Sequence, residues 1–110
     1  MIRWLTILII ISSTLTFAEK RALVIGIGTY APDSGWDAIN GDNDIALVQE
    51  MLQANGFSLN HIATLQNEQA TYQNIQQALR ALCQSAQKDD VIYIHFSGHG
   101  QQVTDVNGDE

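Results

Sequence analysis

The sequence predicts an α/β fold with a mostly parallel sheet, and the order of its hydrophobic patterns is the main reason. Continuous apolar runs at 22–27 and 91–96, and a weaker one at 62–65, are typical of strands covered on both faces. Between them, 42–55 and 71–87 carry apolar residues at helical spacing. Alternating strands and helices imply right-handed crossovers and helices on the faces of the sheet. The first and third strands are the most apolar, so we expect both at its centre.

The first eighteen residues have the pattern of an export signal. Arg3 gives a positive start, 4–11 is almost wholly apolar, and 16–18 (Thr-Phe-Ala) places small residues where a signal peptidase reads. The apolar run is shorter than the ~20 residues of a membrane-spanning helix. We therefore expect residues 1–18 to be a signal peptide and the mature chain to start near Glu19. Such a chain is exported, to the periplasm or the extracellular space, and has no stable membrane span after cleavage. An uncleaved anchor or a buried first strand is the alternative.

Composition excludes several classes of protein. The formal charge is −7, from 5 Lys and Arg against 12 Asp and Glu, which argues against nucleic-acid binding. A single cysteine excludes an internal disulfide framework and any zinc or iron–sulfur site that needs several cysteines. With 45% hydrophobic residues and one proline, the chain is not of the disordered type.

The segment 97–100, Ser-Gly-His-Gly, is the strongest local motif. It directly follows the third strand, and open α/β sheets place their functional sites at the carboxyl ends of strands. Glycines on both sides expose the imidazole of His99. Imidazole gains and loses a proton near neutral pH, which suits a general base. A turn with an incidental histidine is the alternative.

The other reactive side chains favour structural roles. His95 is predicted to be a sheet histidine with one hydrogen-bond partner, and its spacing from His99 in a strand does not present a metal pair. Cys83 falls within the apolar stripe of the second helix, so we expect a buried small hydrophobe rather than a nucleophile. No metal site is therefore predicted. The segment 105–109 resembles the start of a calcium loop, but Glu110 stands where such a loop needs glycine.

The cluster Gly41-Asp42-Asn43-Asp44 opens the first helix. Its side chains are of the type that caps free helix amides, which is the structural interpretation. The functional alternative is a carboxylate that holds a cationic group of a substrate. One residue can do both.

Together these segments resemble the caspase/metacaspase group of cysteine peptidases. The resemblance rests on 21–27 with Tyr30, on 43–57, and on 90–102 running into 105–110. It implies a three-layer αβα sandwich of which only the first three strands and two helices are present. Residues 19–110 are then the N-terminal part of a truncated peptidase domain.

The resemblance also implies roles for individual residues. His99 matches the catalytic histidine, Gly100 the glycine whose amide helps to stabilise the oxyanion, and Asp44 an aspartate that binds Arg or Lys before the cut. The segment just before Asp44 departs from the family pattern, so Asp42 stays open as the alternative. The implied substrate is a polypeptide, no cofactor is needed, and calcium is an optional activator. The oligomeric state is undefined.

The nucleophile is expected outside this sequence. Caspase spacing puts the cysteine about 50 residues after the histidine, which from His99 falls beyond Glu110. Residues 19–110 alone are therefore predicted to be inactive. Two alternatives remain: a caspase-like pseudo-peptidase that only binds, and an unrelated flavodoxin-like binding domain.

Overall fold

The computed structural model describes residues 18–100, so most of the predicted export signal and the acidic segment 101–110 lie outside it. The predicted order of strands and helices is confirmed. Its elements are β1 (Lys20–Gly26), α1 (Asp44–Ala54), β2 (Ile62–Gln66), α2 (Tyr72–Ser85) and β3 (Val91–Ser97). Short 3₁₀ turns at Gly41–Asn43, Leu59–His61 and Asn67–Gln69 precede α1, precede β2 and follow β2.

The three strands form one parallel sheet in the order β2-β1-β3. β1 is central, as predicted, and its Ala22 lies opposite Ile62 and Tyr93. The prediction that β3 is also central is wrong for the described part of the chain, because no described strand pairs with its outer side. Its large apolar side chains are consequently exposed: Val91, Ile92, Ile94 and Phe96.

The two faces of β1 carry different layers. Ala22 and Val24 pack in one cluster with side chains of α1 and of the segment that follows it: Ile45, Val48, Leu52, Phe57 and Ile62. Leu23 points to the opposite face and shares the lining of a cavity with Ala78 and Leu82 of α2. The α/β prediction, with a helix layer on each side of a parallel sheet, is therefore confirmed. No helix within residues 18–100 has the length and apolar character needed to cross a bilayer.

Local signals explain two helix ends. The Thr71 hydroxyl accepts a hydrogen bond from the backbone N–H of Asn74 at 3.1 Å, which caps the start of α2. Gly56, with φ +89°, follows the end of α1 in the left-handed conformation that glycine adopts most easily.

Cys83 is exposed, so the prediction that it is buried is wrong. The stripe of α2 that faces the sheet runs through the half-buried Ile75, Leu79 and Leu82, at spacings of four and three. Cys83 directly follows Leu82 and is therefore turned about 100° away from that stripe. Burial within that stripe was the reason for excluding Cys83 as a nucleophile, and the structure does not support that reason.

A buried carboxylate joins the starts of β1 and β3. The side chain of Asp90 is 4% exposed and accepts hydrogen bonds from the backbone N–H groups of Glu19 and Gln87, each at 2.8 Å. The Nε of Arg21 lies 3.5 Å from the same carboxylate. The hydrogen bonds from Glu19 and Gln87, followed by the interaction with Arg21, lower the pKa of Asp90 below its ordinary value.

Asp90→Asn is expected to lower the free energy of unfolding at neutral pH, and the loss should shrink in acid. Because the pKa of Asp90 is lowered in the folded state, its carboxylate stabilises the fold fully above the unfolded pKa of about 3.9. That contribution is lost as the pH falls through the lower folded pKa. Urea unfolding of both proteins across a pH series measures the difference.

Asp89→Asn is the matched control. Asp89 is exposed with φ +71°, a conformation that asparagine tolerates well. We expect little change in stability for this variant at any pH. If Asp90→Asn lowers the free energy of unfolding by the same amount from neutral to strongly acidic pH, then the charge of Asp90 does not stabilise the fold as assigned.

Candidate functional site

The candidate site lies at the carboxyl edge of the sheet, where loops that follow β1 and β3 meet. The backbone N–H of Ile27 donates to the carbonyl of Ser97 at 2.9 Å, which joins the two strand ends. A methyl group on Gly41 would overlap the carbonyl oxygen of Ile27 and come within 2.9 Å of that of Ser97. Only glycine therefore lets the start of α1 lie directly against both strand ends.

His99 follows β3, as predicted, and is held on several sides by the loop after β1. Its backbone N–H donates to the Tyr30 hydroxyl at 2.7 Å. Its ring stacks on Trp36, with centroids 5.0 Å apart and an interplanar angle of 27°. The Tyr30 ring lies at 5.1 Å in a tilted arrangement. These contacts fix the position of the half-buried imidazole.

The carbonyl of Asp37 sets the tautomer of His99. The imidazole Nε2 lies 3.0 Å from this oxygen. Because a carbonyl oxygen only accepts hydrogen bonds, Nε2 must carry the proton and donate it. In the neutral ring, Nδ1 then holds the free lone pair and is the atom that can take a proton from a nucleophile.

Asp44 lies beside the end of β3. The Ser97 hydroxyl donates to Asp44 Oδ2 at 2.7 Å, and the Asp44 side chain is otherwise exposed. Ser97 precedes His99 by two residues, so the anionic group and the imidazole stand at the same strand end. Since each carboxylate oxygen has two acceptor sites, Asp44 keeps the capacity to bind a guanidinium while Ser97 orients it.

Asp42 has a different environment. Its Oδ2 accepts a hydrogen bond from Asn67 Nδ2 at 3.2 Å, and its carboxylate fills the space beside Gly28, where any Cβ would overlap it. Asp42 therefore braces the loop after β1. The helix-capping interpretation of this cluster is not supported, because Asn43 at the start of α1 makes no capping hydrogen bond through its side chain.

Asn67 supports the site, although its role was not predicted from the sequence. Its Oδ1 accepts hydrogen bonds from the backbone N–H groups of Gly28 at 2.8 Å and Thr29 at 3.1 Å. The residue has φ +50°, a conformation that asparagine adopts more readily than most residues. An asparagine two residues after the predicted strand 62–65 was the available signal.

Asn67→Ala is expected to destabilise the protein by roughly 2–3 kcal/mol, because it removes these hydrogen bonds and leaves partners near the sheet edge unsatisfied. Alanine also adopts a positive φ only at a steric cost, whereas glycine does so freely, so Asn67→Gly shows the effect of the lost hydrogen bonds without that cost. We expect urea unfolding to show a lower free energy of unfolding for both variants, with the larger decrease for Asn67→Ala. An unchanged stability for both would show that the loop does not depend on this side chain.

Gly100, the predicted oxyanion residue, is exposed at the end of the described chain. A Cβ on it would meet no atom within 4 Å, so the space around its backbone is open. His95 is half-buried in β3, and its buried Nε2 has no hydrogen-bond partner among residues 18–100, so the predicted partner is not found for this atom.

Cys83 lies at the opposite end of the sheet from His99. Its neighbours Leu82 and Ser85 line a cavity with Arg21 and Ala22, at the start of β1. His99 follows the end of β3, which runs parallel to β1. Cys83 therefore cannot supply a thiolate to His99 in this fold.

Two further features bear on ligands. A cleft of ≈ 530 Å³ lies next to Tyr30, between the loop after β1 and the turn after β2, with Ile27, Thr29, Ala31 and Glu68 among its lining residues. Within residues 18–100, no three His, Cys, Asp or Glu side chains are close enough together to hold a metal ion. The predicted calcium-like segment 105–109 lies outside the described residues.

A small parallel α/β sheet with helices on both faces is consistent with part of a caspase-like fold. The chain belongs to the metacaspase family: the model of the metacaspase, peptidase C14 domain, matches residues 20–110. This family consists of cysteine peptidases, so the predicted family is confirmed.

Metacaspases of fungi and plants are similar over most of this chain. Metacaspase-1 of Candida albicans is 36% identical over 94 residues, covering 79% of this chain and 20% of the relative. Metacaspase-1 of Yarrowia lipolytica is 37% identical, covering 84% and 21%. Metacaspase-3 of Arabidopsis thaliana is 31% identical, covering 86% and 27%. The chain thus spans about a fifth to a quarter of the length of these relatives.

Proposed function

We propose that the full-length protein is a cysteine endopeptidase that cleaves polypeptides after Arg or Lys, and that residues 19–110 supply the histidine half of its catalytic dyad. The observation that carries this proposal is the orientation of His99, whose Nε2 donates to the Asp37 carbonyl and whose ring stacks on Trp36. An imidazole held in this way has Nδ1 free for proton transfer.

The proposed reaction assigns a step to each of these groups. Nδ1 of His99 takes the proton of a cysteine thiol that lies beyond Glu110, and the thiolate attacks the scissile carbonyl carbon. The backbone N–H of Gly100 donates to the oxyanion that develops on the carbonyl oxygen. His99 then gives its proton to the leaving amine as the C–N bond breaks, and water hydrolyses the resulting thioester.

The preference for basic residues is assigned to Asp44. Its exposed carboxylate, oriented by Ser97 at 2.7 Å, suits bidentate binding of a guanidinium. Asp42 is already engaged by Asn67 and packed against Gly28. We therefore assign substrate binding to Asp44 rather than Asp42.

Two accompanying proposals concern the protein's location and activator. The pattern of residues 1–18 supports export to the periplasm or the extracellular space. Calcium as an activator rests on the acidic segment 105–109 alone, and no step of the reaction is derived through it.

Peptide turnover by the protein expressed from its complete reading frame tests the proposed function. Reporter peptides that differ only in Arg, Lys or Asp before the scissile bond should be cleaved in the first two cases and spared in the third. Residues 19–110 alone should cleave none. If the complete protein binds peptides without any turnover, the pseudo-peptidase alternative replaces the endopeptidase proposal.

A further inference from the structure

We propose that removal of residues 1–18 creates an α-ammonium group on Glu19 that forms an ion pair with the buried carboxylate of Asp90. This pairing fastens the start of β1 to the start of β3 only in the processed protein. It rests on the proposed export and not on the peptidase activity.

Two independent observations meet at the same atom. The Thr-Phe-Ala pattern ending at Ala18 predicts the cut from sequence. In the folded chain, the backbone nitrogen of Glu19 lies 2.8 Å from Asp90 Oδ1. Hydrolysis of the Ala18–Glu19 bond turns this nitrogen into an amine. The nitrogen is therefore already in contact with the Asp90 carboxylate, whose side chain is 4% exposed.

The chemistry of the cut is simple. A signal peptidase adds water across the Ala18–Glu19 amide, which leaves a carboxylate on Ala18 and an amine on Glu19. The amine takes up a proton at neutral pH, because an α-amino group ordinarily titrates near 7.7–8.0. A neutral N–H donor then becomes a cationic one, so the attraction between two full opposite charges is added to the existing hydrogen bond to the carboxylate.

The surrounding charges favour this pair. Among the described residues, Arg21 is the ion-pair partner of Asp90, with its Nε 3.5 Å from Oδ2. The backbone N–H of Glu19 donates to the other oxygen, Oδ1. The carboxylate of Glu19 itself lies 3.3 Å from His61 Nδ1 and so is turned toward another partner. The lowered pKa of Asp90 agrees with a site that prefers the anion.

The ion pair lies where β1 begins to pair with β3, the two strands that lead to the candidate site. The backbone N–H of Val91 donates to the carbonyl of Glu19 at 2.9 Å, so Glu19 begins the pairing of β1 with β3. β3 leads to His99, and β1 leads to the loop that holds the His99 ring. Processing at Glu19 therefore strengthens the strand pair on which the candidate site is built, whereas in the precursor the donor to the Asp90 carboxylate is an uncharged N–H.

The test uses the complete protein carrying His99→Ala, which removes self-cleavage, secreted from an exporting host. Amino-terminal sequencing should give Glu19 as the first residue. Competitive acylation across pH should then show an α-amino pKa raised by about one unit or more above its ordinary range. Adding Asp90→Asn should return that pKa to the ordinary range, and Asp89→Asn should leave it raised.

A second measurement does not depend on the folding of the Asp90 variant. Proteins that start at Glu19 or retain Ala18 are compared by thermal unfolding, and the retained residue should lower the melting temperature. A different mature terminus, an α-amine that titrates in its ordinary range with Asp90 intact, or equal melting temperatures would overturn the proposal. Because His99 is absent throughout, none of these outcomes bears on the peptidase chemistry.

Discussion

Replacing His99 with alanine is expected to lower kcat/KM of the complete protein toward basic peptides by about 10³-fold or more. The ring is oriented by Asp37, Trp36 and Tyr30 for proton transfer rather than for holding substrate. The loss should therefore fall on kcat, with KM little changed. Steady-state kinetics on an Arg reporter peptide measures both.

His61→Ala is a suitable control for this prediction. It removes an imidazole that pairs with Glu19 near the start of the sheet, far from the carboxyl edge. Activity should stay close to that of the unaltered protein. A His99→Ala protein that keeps a tenth or more of the original kcat would contradict the assignment of His99 as the proton-transfer residue.

Asp44→Asn is expected to reduce kcat/KM for Arg peptides by about 30-fold or more, since losing one partner of a hydrogen-bonded charge pair costs about 2–5 kcal/mol. Asparagine has the same shape, and its amide oxygen still accepts from the Ser97 hydroxyl, so the fold should be unaffected. The variant also removes the anion that discriminates cationic from neutral side chains. Selectivity between Arg and norleucine peptides should fall together with the rate.

Asp42→Asn is the matched control for the specificity residue. Its side-chain oxygen can still accept the hydrogen bond from Asn67, so only the charge changes. We expect a much smaller effect on Arg selectivity than for Asp44→Asn. If the Asp42 variant loses more selectivity, then Asp42 is the residue that binds the basic side chain.

The strands and helices were predictable because their patterns are local. β1 is a run of Leu, Val and Ile that is typical of a strand covered on both faces, and α2 shows its sheet-facing stripe at helical spacing. The position of His99 was predictable for a related reason: it directly follows a strong strand. The position of β3 at the edge of the described sheet was not predictable, because strand pairing depends on neighbours that periodicity does not identify.

The support of the site was not predictable, because it comes from segments distant in sequence. Trp36 and Asp37 reach His99 from an irregular loop with no periodic pattern, 62 residues away in the case of Asp37. The choice between Asp42 and Asp44 likewise depends on Asn67 and Ser97, which only the folded chain brings close. Residue type identified the candidates, and tertiary contacts distinguished them.

Covalent labelling tests the central claim most directly. The complete protein is treated with an acyloxymethyl ketone that carries Arg at the reactive position, and the modified residue is located by peptide mass spectrometry. We predict one thioether adduct, on a cysteine beyond Glu110, that is formed rapidly by the unaltered protein and only slowly by His99→Ala. An adduct on Cys83, or no adduct on any cysteine, would contradict the claim that residues 19–110 carry the histidine half of a cysteine-peptidase site.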